Sequence, residues 1–307
     1  MHDNFLIGLL KFREMRKIFL ELDKYQYALI KGEALSLQAY NKTGMRHSGD
    51  IDILINKKDI TKVKSLFYSH GFEEGNNKTR EEKRKEDILS LVGSHQVVPL
   101  KKEFPFGKIE IDLNFDIFWG QYKGKRIEIS ELLSHVKSCS IYGCDVKVLE
   151  PLYSLIQLVL HHYKEMNSIY HITMFNTIKK DMLLDVYYLI KNNKEIITPS
   201  LLSKTCEDYN IKKYAFYVLY YTNYIIKDKL LDAYLEQLYD ADVVKILNRF
   251  GLKDNEYYYW KTCFKDRLDC DNLAEIVFPQ LSKNSIENII INNKVFNQIE
   301  LDNFKEK

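Results

Sequence analysis

The chain is short of several features that would assign it to a class at once. Its 307 residues carry 5 cysteines, an odd number, with no C-x-x-C pair. That argues against a zinc knuckle and against a disulfide framework, and it fits reduced thiols in the cytosol. The first residues, Met1-His2-Asp3-Asn4, show no basic stretch leading into an apolar core and a cleavage site, so no secretory leader is expected. No apolar run approaches the ~20 residues of a membrane helix. A cytoplasmic protein without membrane contact is therefore expected. Charge of one sign is also missing. The 45 Lys and Arg against 43 Asp and Glu leave a formal net charge of +2, which gives no whole-molecule case for nucleic-acid binding. Internal repeats and low-complexity segments are absent, and heavy use of Lys, Asn and Ile matches an AT-rich bacterial genome.

What is present is apolar material for a packed core. Hydrophobic residues make up 46% of the chain, which excludes wholesale disorder, and the length suits two domains. Residues Phe5 to Leu22 predict an amphipathic helix. Tyr27 to Ile30 predict a strand that stops at Lys31-Gly32, followed by a helix over Glu33 to Tyr40. A strand over Asp50 to Ile55 and a helix over Lys57 to His70 come next, with Gly71 where a helix end favours glycine. Strand alternating with helix argues for an α/β sheet domain. Strands over His95 to Leu100 and Lys108 to Phe115, a helix over Ile129 to Val136, and a hairpin turning at Tyr142-Gly143 complete it. The pattern changes at Glu150-Pro151. Leu152, Leu155, Ile156, Val159, Leu160 and Tyr163 form an apolar stripe at helical spacing, and only helical patterning follows. The boundary falls near residue 150, with a sheet domain over 1–150 and an all-α domain over 151–307.

The chemistry gathers around Asp50-Ile51-Asp52. In a strand, side chains alternate between faces, so Asp50 and Asp52 share one face while Ile51, Ile53 and Ile55 share the other. Two carboxylates at the end of an apolar strand are costly unless a positive charge neutralises them. The later run Lys108-Ile109-Glu110-Ile111-Asp112-Leu113-Asn114-Phe115 alternates the same way. Asp112 is the first choice for a third carboxylate, with Glu110 in reserve. Three carboxylates on adjacent strands suit one or two Mg²⁺ ions that also take phosphate oxygens. Upstream, Lys31-Gly32 lies between a strand and a helix, where backbone amides can face a phosphate. Lys31 and Arg46 are candidates to neutralise that phosphate.

Lys31-Gly32 with Ala34-Leu35, then Tyr40, Arg46 and Gly49-Asp50-Ile51-Asp52, resemble the bacterial uncharacterised nucleotidyltransferase family, within the polymerase-β-type nucleotidyltransferase superfamily. The resemblance continues through Glu110-Ile111-Asp112-Leu113, Val148-Leu149-Glu150-Pro151 with His161, and Leu183-Leu184-Asp185-Val186. It implies an α+β fold, with a mixed β-sheet and flanking helices followed by an all-α C-terminal domain. It implies that Asp50, Asp52 and Asp112 bind Mg²⁺ and carry catalysis, two ions being held when the nucleotide is bound, and that Gly32 lies against the triphosphate. Where the superfamily has a second glycine or a serine, this chain has Glu33, a residue that would repel phosphate; Ser36, one turn on, is the expected substitute.

The expected activity is Mg²⁺-dependent transfer of an NMP from an NTP, with ATP the expected donor, to a hydroxyl on a small molecule, a protein or an RNA, with release of pyrophosphate. Two rivals stand beside it. Glu33 motivates a non-catalytic nucleotide-binding or interaction module. The mixed-charge run Glu73 to Asp87, with Lys83, Arg84 and Lys85, motivates a toxin acting on tRNA. A metal role for His161 and His162 is disfavoured, because neighbours on a helix point to different faces. Asp185 reads as a structural cap or ion-pair partner, and His95 is not placed by the sequence.

Overall fold

A computed structural model describes residues 2–46, 48–75, 94–120, 122–175, 178–253 and 256–290. Helix α1 (His2–Leu22) buries Phe12, Met15, Ile18, Phe19 and Leu22 on one stripe. Strand β1 (Tyr27–Ile30) leads into α2 (Gly32–Tyr40), which stops at Asn41 in the left-handed conformation, φ 53°. Then come β2 (Asp50–Ile55), a 3₁₀ turn (Lys57–Asp59) and α3 (Ile60–Ser69). Strands β3 (Glu73–Glu74), β4 (Leu100–Phe104) and β5 (Gly107–Asn114) follow. A single turn, α4 (Ile129–Leu132), precedes the hairpin of β6 (Val136–Ile141) and β7 (Cys144–Leu149). Tyr142 and Gly143 both have positive φ, as a two-residue hairpin turn demands.

The seven strands form one mixed sheet in the order β3-β4-β5-β2-β1-β7-β6. β2 runs parallel to β5 and antiparallel to β1, and β1 runs parallel to β7. One face carries Leu29, Ile51, Ile53, Ile55, Ile109, Ile111 and Leu113, packed with residues of α1 and α3. The opposite face carries Ala28, Ile30 and Leu54, which share a core with the helices beyond residue 150. Those are chiefly α5 (Pro151–Asn167), α6 (Ile169–Phe175), α7 (Lys180–Asn192), α8 (Pro199–Asp208), α9 (Lys212–Ile226) and α10 (Leu230–Leu238). The change of pattern near residue 150 therefore marks where the second face of the sheet acquires its cover. Each fully buried Ile or Leu contributes about 1.5–3 kcal/mol.

Three elements depart from expectation. The region expected as a strand over 95–100 makes only an isolated bridge, Gln96 to Asn114, and β4 begins at Leu100. The helix expected over 129–136 ends at Leu132, because Val136 already pairs with Leu149. The all-α expectation after residue 150 is corrected by a hairpin of β8 (Arg249–Lys253) and β9 (Glu256–Tyr259), where Phe250 stacks on Tyr258 at 5.5 Å. Phe250 is fully buried there, while Tyr257 and Tyr259 stay exposed. Of the charged run from Glu73 to Asp87, Glu73 and Glu74 form β3, and residues 76–87 lie outside the described residues. None of the five cysteines forms a disulfide among the described residues. Among the described residues no helix is long and apolar enough to cross a membrane.

Candidate functional site

Period-two alternation and strand register build the centre of the site. Ile51 and Ile53 face α1 and α3, so Asp50 and Asp52 emerge on the helical side of the sheet. Parallel pairing sets Asp52 beside Asp112 and Asp50 beside Glu110. A one-residue slip would turn all of these carboxylates into the apolar core, so burial of the isoleucines holds the register. Asn114 Nδ2 ties the two strands, donating to Asp52 Oδ1 at 3.2 Å and to the Asp112 carbonyl at 3.1 Å.

Lys31 Nζ donates to the same Asp52 Oδ1 at 2.7 Å. Gln96 Nε2 donates to Asp112 Oδ2 at 3.2 Å, while Asp112 Oδ1 is buried with no hydrogen-bond partner. Burial, then Asp52 and Asp50, push the Asp112 carboxyl up to about 7. Burial and then Asp52 raise Asp50 as well. Burial works against the Lys31 charge, but Asp52, Asp50 and Asp112 outweigh it and raise the ammonium. One ammonium thus faces three carboxyl groups. An orphaned buried oxygen, mutual repulsion and an all-oxygen donor set are what a hard dication satisfies. Among the described residues no group of three or more His, Cys, Asp or Glu side chains is arranged to hold a metal ion, and the Lys31 ammonium sits on Asp52.

The β1–α2 turn has two consecutive residues in the left-handed region, Lys31 at φ 55° and Gly32 at φ 39°. A Cβ at Gly32 would lie 2.9 Å from Ser48 Oγ, so only glycine lets this turn meet the loop that enters β2. That loop is held from α1, where Lys11 Nζ donates to the Ser48 and Gly49 carbonyls at 3.1 and 2.7 Å. Lys31, Gly32, Arg46 and the three aspartates line one cavity of about 630 Å³, with α5 and α6 as its roof.

Two expected residues are not brought to this cavity. Ser36 is fully buried, donating to the Lys42 carbonyl at 2.8 Å and accepting from the Met45 amide at 3.0 Å. Its hydroxyl shapes the loop after α2 and is not among the cavity lining. Glu33 turns away, accepting from the Gly44 amide at 2.9 Å and the Tyr142 hydroxyl at 3.1 Å. Its carboxylate is thereby kept off the cavity lining. Arg46 lines the cavity and pairs with Asp185 Oδ2 at 3.1 Å.

The roof carries groups that the sequence reading undervalued. His95, His161, His162 and His171 all line the cavity, as does Lys164. Burial drives His162 and His171 down to about 3 and takes His95 and His161 well below their ordinary range. Burial lowers Lys164 to about 8. The imidazoles are thus neutral, and the charged groups of the roof are Lys164 and Glu165, 3.8 Å apart. His161, Lys164, Glu165 and Ser168 recur at three- and four-residue spacing, a polar face opposite the apolar stripe of α5. That spacing was the available signal for Lys164. Nothing in the sequence pattern singled out Gln96.

A family model described as "Uncharacterised nucleotidyltransferase" matches residues 6–227. Among solved structures, the chain is similar to an antigenic nucleotidyltransferase-like protein from Paracoccidioides brasiliensis, at 16% identity and a TM-score of 0.34, covering 61% of this chain and 75% of that one. No curated protein matches the sequence.

Proposed function

Because the chain belongs to the uncharacterised nucleotidyltransferase family, we propose that it transfers a nucleoside monophosphate from an NTP, ATP first among the donors, to a hydroxyl acceptor in the presence of Mg²⁺. Pyrophosphate leaves. The acceptor hydroxyl belongs to a small molecule, a protein or an RNA. The observation that carries this reading is the register of Asp52 with Asp112 under a cavity of about 630 Å³, with a buried oxygen of Asp112 left without a partner.

Asp50, Asp52 and Asp112 would hold the metal, which supplies charge neutralisation and in-line alignment of the attacking and leaving oxygens. Asp112 Oδ1, buried with no hydrogen-bond partner, would orient the acceptor hydroxyl or take its proton. Lys31, 2.7 Å from Asp52, and Arg46, on the cavity wall, neutralise the triphosphate. Gly32 lets the backbone at the start of α2 approach it. Glu33, bonded to Gly44 and Tyr142, no longer favours a non-catalytic module.

The test is transfer of α-labelled ATP with Mg²⁺ against candidate acceptors. Wild type incorporates label and releases pyrophosphate, and the Asp50→Ala, Asp52→Ala double variant does not. Equal incorporation by the two proteins would remove these carboxylates from the chemistry.

A further inference from the structure

One buried polar network joins the helical half to the loop that carries Arg46. Asp185 lies on α7 with its side chain 1% exposed. Its Oδ1 accepts from the Tyr40 hydroxyl at 2.7 Å, and Tyr40 is the last residue of α2. Its Oδ2 lies 3.1 Å from Arg46 Nη1 as an ion pair without hydrogen-bond geometry, and the Arg46 side chain is 29% exposed. Arg46 sits between exposed Met45 and the start of β2, on the wall of the cavity. The Tyr40 ring is itself set against Tyr188 of α7, centroids 5.1 Å apart.

The asymmetry of this network gives its direction. Asp185 is enclosed and braced on one oxygen by Tyr40. Arg46 is a long side chain on a loop, half-open to the cavity. Left alone, it would sample many rotamers and lose that freedom on meeting a ligand. An ion pair to a fixed carboxylate spends that entropy before the ligand arrives. A guanidinium has five N–H donors, and the contact to Asp185 is made through Nη1. Donors remain for an anionic, multi-oxygen ligand, the geometry in which arginine outperforms lysine.

We propose that Asp185, oriented by the Tyr40 hydroxyl, is a positioning residue that holds the Arg46 guanidinium at the cavity wall for the triphosphate. The proposal rests on the nucleotidyl-transfer reading above and adds to it a fixed anchor for the phosphate-directed arginine. Asp185 and Tyr40 act through Arg46 and touch no substrate themselves.

The test is a binding cycle by calorimetry with the Mg²⁺ complexes of ATP, GTP, CTP and UTP. The proteins are wild type, Arg46→Ala, Asp185→Asn, Tyr40→Phe, and Tyr40→Phe and Asp185→Asn each combined with Arg46→Ala. Arg46→Ala is expected to weaken the tightest triphosphate by about 10-fold or more. Asp185→Asn and Tyr40→Phe weaken it in the same direction. In the Arg46→Ala background each adds less than about 2-fold, because the group they position is gone. Asp185→Glu, which keeps the carboxylate, recovers part of the loss. A role limited to tying α7 to α2 would lower the unfolding temperature and weaken binding equally in both backgrounds, and that result overturns the proposal. Tyr40→Phe keeps the ring and carries the cycle alone should Asp185→Asn not fold. Absence of binding by wild type to any of the four would sink the nucleotidyl-transfer reading. Wild-type binding left unchanged by Tyr40→Phe and by any folded Asp185→Asn would sink the positioning role alone.

Discussion

The floor and the roof of the cavity are shifted in opposite senses by the same cause. On the floor, burial raises Asp50 and Asp112, with Asp112 reaching about 7. On the roof, burial lowers the imidazoles, with His162 and His171 near 3. Desolvation drives both sets towards their neutral forms. They differ in what the neighbours add. The floor carboxyls repel one another across two strands and have one ammonium among them, so they gain from a cation. The roof imidazoles hold no charge to lose and place no competing positive charge over the floor. The repelling carboxyls thus belong to the sheet, and the helical wall sets Lys164 and Glu165 beside neutral imidazoles.

That contrast breaks most visibly at Asp112. Asp112→Asn keeps the shape and removes one of the repelling carboxylates. Transfer is expected to fall by more than about 100-fold, the scale on which disturbed metal sites lose function. Without divalent ions, the same variant should unfold at a higher temperature than wild type at pH 8, since Asp112 is ionised there against its surroundings. A variant both inactive and less stable would contradict the repulsion.

The roof is probed by acid, with a smaller effect. A histidine whose folded pKa is lowered binds a proton more readily in the unfolded chain. Its stabilising contribution is complete above about 6.5 and is lost as the pH falls from there towards 3. The unfolding temperature of wild type should therefore drop between pH 6.5 and 4.5. His171→Phe should flatten that drop, having one fewer imidazole to protonate. Identical profiles would mean that His171 titrates normally.

Glu33→Gln should change least. The side chain points away from the cavity to the Gly44 amide and the Tyr142 hydroxyl. Transfer should stay within about 2-fold of wild type, and stability should move by roughly 1 kcal/mol, the worth of one hydrogen bond. A 10-fold change in the KM for ATP would place Glu33 beside the phosphates after all.

The strand alternation around Asp52 and Asp112 was readable in advance, because period two leaves only one face for the carboxylates once the isoleucines are buried. The apolar stripe of α5 was equally plain. What α2 does with its side chains was not. The spacing of Glu33 and Ser36 says that they lie on a helix but not how its axis is rotated over the sheet. Packing sends Glu33 to Tyr142 and Ser36 to the loop at Lys42. Adjacent His161 and His162 both line the cavity, although helical geometry separates their directions, because the cavity is wide enough to take both edges of α5. The link between Arg46 and Asp185 had no local signal at all. The β8–β9 hairpin was hidden by its shortness among helical patterns.

Several bonds around the cavity join distant parts of the chain. Asn114 reaches Asp52 across 62 positions, Gln38 reaches the Leu149 carbonyl across 111, and Tyr40 reaches Asp185 across 145. Contacts of such high order form late, since each must first overcome the entropy of closing its loop. Helices such as α5, α7 and α9 can take shape locally and early. The carboxylate floor waits for β5 to dock beside β2, and the arginine anchor waits longer, until α7 has been synthesised and packed. A nascent chain that ends before residue 185 therefore carries the acidic strands without the tethered guanidinium. On the ribosome, the Arg46–Asp185 pair would come last, well after β2 and β5 have set Asp52 beside Asp112.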